Sequence, residues 1–389
     1  MTRKHLLAAA VAAAIAGQAG AAETVRIGEL HPITGPASYY GLPESQAIRL
    51  AAEQINAAGG LDIGGETRMI EIVSGDTQAS PTGGVAALRK LMADGVQIII
   101  GPLSSGVAPA LTPIIASADV VQIVDGSIAE GLTDGRRMFR NQATVGDYNL
   151  ALERLAKARG YDSVAIMTDR FHAGFMESQD DLTAVFSEQG NAVVAEEYYK
   201  LGDTDFSGQL TTIAGADPDA LIVRGYPSEG ALITRQVRDL GYEGQIVWEM
   251  VSPPSTVMKN IDAATMEGVL NAIPPTTEDY LNLGNPRAIA MAEAYEATYG
   301  SVPGELAALS FDALHIVAAA IEKAGSIEPA DIAGAMATLT AAEVPALINT
   351  YGAQEDGRLF DETGQVSLPG AVSVWQGEGW VPLTDLAAD

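Results

Sequence analysis

Two hydrophobic patterns take turns along this chain. Short runs such as VQIII at 96–100 are apolar and β-branched with little polar alternation, the pattern of a strand covered on both faces. Between them, apolar residues recur three and four apart, as at Ile48, Ala51, Ala52 and Ile55, which predicts amphipathic helices. In order, the pattern predicts a strand over 24–30, a Gly/Pro/Ser loop over 31–41, a helix over 44–58, a strand over 69–73 and a helix over 84–93. Strand 96–100, a helix after Ser105 and strand 120–124 follow. The alternation then starts afresh: helix 148–159, strand 163–167, loop 169–174, helix 175–189, strand 192–196, helix 206–214, strand 219–224, helix 230–240 and strand 245–248. Helices over 287–299, 307–324 and 330–339 come next, then a tail with short strands at 357–360, 365–367 and 372–376.

Repeated β–α alternation of this kind predicts an α/β fold with two doubly wound parallel-sheet lobes. The late helices are expected to return to the first lobe and the last strands to the second, so several chain crossings form a multi-strand hinge. The expected organisation is a signal peptide over 1–22, an N-terminal lobe from 23–146 plus 275–354, and a C-terminal lobe from 147–274 plus 355–389. Two such lobes present their strand C-termini to one another, and the gap between them is a natural cleft.

Composition narrows the function. The chain has 389 residues, enough for two cores, and a net charge of −28, which argues against nucleic acid or an anionic membrane surface as a partner. With no Cys, thiolate metal sites are excluded; with four His, a multi-histidine site is not expected, and neither is any other metal or cofactor. Arg3 and Lys4, the apolar Leu6–Ala16 and the small residues 19–22 read as a secretory leader whose apolar part is too short to remain as a membrane span. The protein is therefore expected to be exported and soluble, which in a cell with two membranes means the periplasm. G-x-S-x-G, P-loop and H-E-x-x-H motifs are missing, as is a G-x-G-x-x-G after the first strand, so no enzyme is expected.

Candidate binding residues cluster at expected strand ends. Ser104 and Ser105 follow strand 96–100 where a helix should begin; there a serine either caps the helix or helps its N–H groups hold a carboxylate. Glu249 ends an apolar strand, and it either meets a ligand cation or pairs with Arg224 at the end of the neighbouring strand. Tyr226 and Tyr40 can wall a ligand or pack at the hinge. Phe171 and His172 either form part of a lid or an exposed loop; His31 and Asp125 are expected to make local hydrogen bonds.

These residues sit within a wider resemblance. IGELHPITGPASYYG (27–41), LAAEQINAAGG (50–60), GDTQASP (75–81), IIIGPLSSG (98–106), EGLTDGRRMFR (130–140), TDFSGQL (204–210), RGYPSEGA (224–231), MEGV (266–269) and FDALHIVAAAIEKAG (311–325) occur in an order and spacing similar to periplasmic type I binding proteins of the Leu/Ile/Val uptake group. The resemblance implies a monomeric solute-binding protein that closes by hinge bending on a small amino acid, aliphatic or branched-chain, and delivers it to the permease subunits of an ABC importer. It implies that Ser105, beside Ser104, holds the ligand carboxylate with backbone groups of Gly126, Ser127 and Ile128. Glu249 would hold the ammonium, with Tyr226 and Tyr40 alongside. Two departures stand out: Ile128 replaces the usual Thr or Ser, and Ala173-Gly174, preceded by Phe171 and His172, replaces Tyr-Gly. They leave room for an amine-free carboxylate, an amide or a urea as ligand. A separate alternative is a ligand-sensing receptor component that signals to a receptor rather than a transporter.

Overall fold

The computed structural model describes residues 24–35 and 37–383; the expected leader lies outside them. The first lobe is built from β1 (Val25–His31), α1 (Ser38–Ala57), a hairpin of β2 (Leu61–Ile63) and β3 (Glu66–Arg68), β4 (Ile70–Asp76) and α2 (Pro81–Ala93). It continues with β5 (Ile98–Ile100), α3 (Ala108–Ser117), β6 (Val121–Val124) and β7 (Met138–Arg140). The five main strands run parallel in the order β4-β1-β5-β6-β7.

The second lobe begins with α4 (Val145–Arg159), β8 (Ser163–Asp169), α5 (Ala173–Glu177), α6 (Gln179–Gln189), β9 (Ala192–Tyr199) and α7 (Ser207–Ala216). Then come β10 (Ala220–Arg224), α8 (Pro227–Asp239), β11 (Gln245–Glu249), α9 (Pro254–Val257), α10 (Ala263–Met266) and β12 (Leu270–Ile273). The chain next runs through α11 (Thr277–Asn282), α12 (Pro286–Tyr299), α13 (Ala307–Ala324) and α14 (Pro329–Met336), and ends in β13 (Ala371–Gln376) and β14 (Gly379–Pro382). The second sheet is ordered β14-β13-β12-β11-β10-β8-β9, parallel except for β13, which pairs antiparallel with both β12 and β14.

Both faces of each sheet are covered, which is why the strands read as continuous apolar runs. In the first lobe α1, α13 and α14 pack on one face and α2 and α3 on the other. In the second, α4 and α6 cover one face, and α7 and α8 the other. The strand order reverses between β1 and β5 and again between β8 and β10. Open α/β sheets bind ligands outside the strand C-termini at such points.

Several boundaries differ from the sequence expectation for identifiable reasons. The 31–41 loop is shorter than expected because α1 starts at Ser38 and carries Pro43 inside it. Gly41 makes this possible, since a Cβ there would lie 2.5 Å from the Pro32 carbonyl oxygen. The helix expected over 175–189 breaks at Ser178, whose hydroxyl accepts from Arg224 at 2.8 Å. The strands β7 and β12, only three and four residues long, carried no readable pattern.

The tail corrects the expected lobe boundary. Residues 355–368, assigned by the sequence to the second lobe, lie instead on the first. Leu359, Phe360, Val366 and Leu368 join its core, Gln365 bridges to Arg140 at the end of β7, and the Phe360 ring meets Phe139 edge-on at 5.2 Å. Only from β13 does the chain enter the second sheet. Replacing Phe360 by Ala is expected to cost about 3–5 kcal/mol, the usual cost of emptying a buried aromatic position. Chemical denaturation followed by tryptophan fluorescence would measure it.

Candidate ligand-binding cleft

The first-lobe wall is set by two close approaches. Gly101 has φ +103°, and a Cβ on it would meet the Leu30 carbonyl oxygen at 2.6 Å. A Cβ on Gly126 would lie 2.7 Å from Leu103 Cα. Together these glycines let the loops after β5 and β6 lie against each other. Ser104 and Ser105 line the wall, but neither hydroxyl caps α3. The Ser104 carbonyl already takes the N–H groups of Val107 and Ala108, each at 3.0 Å, and Pro109 in the first turn has none to offer. The Ser105 hydroxyl turns sideways instead. It accepts from the Ile128 N–H at 3.1 Å and from Ser127 Oγ at 3.2 Å. With both lone pairs used, Ser105 has its proton left to offer a ligand.

The second-lobe wall comes from the turn before α5, the turn after β10 and the first turn of α8. Gly225 (φ +154°) accommodates the Tyr199 hydroxyl, which would lie 2.0 Å from any Cβ there, and so turns Tyr226 into the cleft. His172 stacks on Phe175 at 4.1 Å and lies 5.5 Å from Tyr226. Phe171 stands at the mouth, 66% exposed.

The lobes touch. The Tyr40 hydroxyl donates to the Val251 carbonyl at 2.5 Å, and Gly174 lies against Ile128, which would be 3.0 Å from a Cβ there. The cavity between them is about 570 Å³, within the range of small-ligand sites. Rings from Tyr39, Tyr40, Tyr148, Phe171, Phe175 and Tyr226 line it. In a chain that is only 6% aromatic, this gathers the rings at one place.

Of the residues singled out from sequence, Tyr40, Ser104, Ser105, Gly126, Ile128, Phe171, His172 and Tyr226 border this cavity. Ser127 stands behind the wall, fully buried, supporting Ser105. Glu249 is also off the wall. Its carboxylate is paired with Arg224 Nε in a fully buried ion pair. The rest of the Arg224 guanidinium donates to Gln179 Oε1 (3.0 Å), Asn149 Oδ1 (2.9 Å), Ser178 Oγ (2.8 Å) and the Phe175 carbonyl (3.4 Å), and it lies over the Phe175 ring. Burial pushes the Glu249 carboxyl up to about 7 against the pull of Arg224. Of the two partners open to Glu249 from sequence, the structure supplies Arg224.

The sequence reading missed Tyr39, Gln142, Tyr148, Phe175 and Glu229, all of which border the cavity. Tyr39 and Glu229 lie inside quoted motifs, so their neighbours could have pointed to them. The others sit on elements that read as ordinary helix or linker. His31 does more than the expected local bond. It is fully buried, with Nε2 3.1 Å from Asp125, Nδ1 3.3 Å from Glu29 and Glu44 3.5 Å away. Burial opposes its charge, but Asp125 and the other two carboxylates hold the imidazole well above its ordinary value.

A two-lobed clamp with a ring-lined cavity at the switch points of both sheets defines a solute-binding protein of the hinge-closing class. The sequence model of the periplasmic binding protein family matches residues 24–377, and the chain belongs to that family. It is 31% identical to the Leu/Ile/Val-binding protein BraC3 of Rhizobium johnstonii over 92% of this chain and 95% of that one. It is 26% identical to the leucine-, isoleucine-, valine-, threonine- and alanine-binding protein of Pseudomonas aeruginosa, over 93% and 92% of the two chains. The crystal structure of a leucine-binding protein from Thermotoga maritima superposes with a TM-score of 0.78 at 25% identity, covering 93% of this chain and 98% of that one.

Two expectations follow from the site's electrostatics. Arg224→Met leaves Glu249 buried without its cation and should cost about 3–5 kcal/mol, whereas adding Glu249→Leu should restore most of the loss. Urea denaturation of the two variants would show it. Burial, followed by the charge of Arg224, lowers His172 to about 4 from its usual 6.5. The unfolded chain thus takes up the proton first, so His172 contributes stability above pH 6.5 that is lost as pH falls towards 4. The Tm of His172→Gln, followed from pH 7 to 4, should fall less than that of the wild type.

Proposed function

We propose that this chain is the solute-binding component of an ABC importer, working in the periplasm without chemistry of its own. It takes an aliphatic, branched-chain-type amino acid into the interlobe cleft and hands it to membrane permease subunits. The observation that carries this reading is the Ser105–Ile128 turn pair, which offers a hydroxyl proton to a carboxylate in a cavity walled largely by rings and apolar groups. The names of the curated relatives supply the ligand class. A ligand resting on Ser105 and reaching the Tyr226 side touches both lobes. Its binding therefore favours the closed form, in which Tyr40 meets Val251 and Gly174 meets Ile128.

Thermal denaturation of the mature protein, refolded to remove ligand, tests this against the twenty amino acids. A ligand at about 100 times its Kd adds about 2.7 kcal/mol to stability. Leucine, isoleucine or valine should raise the Tm, and silence with all twenty would overturn the reading. Ser105→Ala removes a hydrogen bond to a charged group and should weaken the effective amino acid about 10- to 100-fold by calorimetry.

A further inference from the structure

The amino acid of the proposed function brings an ammonium group as well as a carboxylate, and the strand-end Glu249 already holds a cation. Another carboxylate on the second-lobe wall does not. Glu229 lies in the first turn of α8, borders the cavity and is 5% exposed. Its Oε1 accepts from the Gly202 N–H at 2.9 Å, while Oε2 is buried without any hydrogen-bond partner. An acid in a first turn favours the helix dipole, but that alone accounts for neither its burial nor its place on the wall.

The surroundings are short of positive charge. Asp169, at the end of β8, is fully buried with Oδ2 unpartnered, and among the described residues neither Asp169 nor Glu229 forms an ion pair. Aromatic hydroxyls, not cations, stand near Glu229: burial first, then the charge of Asp169 and then that of Glu229 raise Tyr226 to about 12, and the Glu229 charge acts in the same direction on Tyr39 of the first lobe. Glu229 is therefore felt from both sides of the cleft. A buried carboxylate with a free oxygen is favourable only when a cation arrives, and the ring faces of Tyr39 and Tyr226 favour the same charge.

We propose that Glu229, and not Glu249, receives the cationic nitrogen of the ligand. The assignment rests on the amino-acid reading above and makes Glu229 a specificity-determining residue, one that selects an amino acid over its deaminated analogue. Ligand nitrogen on Glu229 and ligand carboxylate on Ser105 would lie on opposite lobes, so the two ends of the ligand would draw the lobes together.

The test is titration calorimetry with the amino acid that binds best in the thermal screen and with its amine-free analogue, for leucine 4-methylpentanoate. Glu229→Gln keeps the acceptor for Gly202 and should weaken the amino acid about 10- to 100-fold while changing the analogue less than about threefold. Glu249→Gln should change the ratio of the two affinities little. An unchanged ratio in Glu229→Gln, or a collapsed ratio in Glu249→Gln, overturns the assignment while leaving amino-acid binding in place. If no amino acid binds the wild type, the functional reading and this assignment fall together. An unchanged urea midpoint for Glu229→Gln would tie its affinity loss to the ligand and not to folding, and a large drop in that midpoint would make Glu229 a structural residue and overturn the assignment.

Discussion

A guanidinium taken out of water must find an acceptor for every N–H it carries, and Arg224 finds its acceptors on five segments. Glu249 comes from the end of β11, Asn149 from α4, the Phe175 carbonyl from α5, Ser178 from the break before α6, and Gln179 from α6 itself. The second-lobe wall is arranged by this constraint. The break at Ser178 turns its hydroxyl to the arginine, Phe175 is fixed by its carbonyl and by the cation over its ring, and His172 stacks on Phe175 in turn. Because Glu249 is committed to Arg224, the wall carries a paired charge inside and leaves its surface to rings and to Glu229.

The first lobe uses the same device with another residue. His31 ends β1 as Arg224 ends β10, and it too is fully buried among acceptors, Glu29 on its own strand, Glu44 of α1 and Asp125 of the turn after β6. Asp125 is held from a third direction by Ser310 of α13 at 2.6 Å. In both lobes the charge lies just behind the strand ends that face the cleft. Pro32 and Gly126, which border the cavity, are chain neighbours of His31 and Asp125. A buried cluster of charged and titratable groups thus backs each wall of the cleft, and the ligand-facing layer is thin.

Where the sequence could be read, it was because pattern and function coincided. Long helices such as α13 and buried strands such as β10 announce themselves by period, and the order of strands and helices implied two switch points. Ser105 and Tyr226 could be picked out because each follows a readable strand, at the end where open sheets bind ligands. What escaped had no local signature. Whether Glu249 faces a ligand or Arg224 depends on how two strand ends and α5 pack, not on spacing. Ser105 bonds sideways because the Ser104 carbonyl takes the helix donors first. Phe360 reaches the first-lobe core from a tail whose composition is that of any loop. Tyr148 and Phe175 meet at the cleft although each sits on an unremarkable helix.

The edge of the second sheet has a consequence for how the chain is made. Strands β13 and β14 complete a sheet whose other members lie between 163 and 273, and they arrive only after the whole helical return to the first lobe. Trp375 and Trp380, buried in that lobe's core, are synthesised only after that return. Neither lobe is a continuous stretch of chain, so no N-terminal portion can finish folding on the ribosome ahead of the rest. Long-range pairings of this kind are slow to form. Each lobe's core therefore stays open until segments far apart in the chain have both been made.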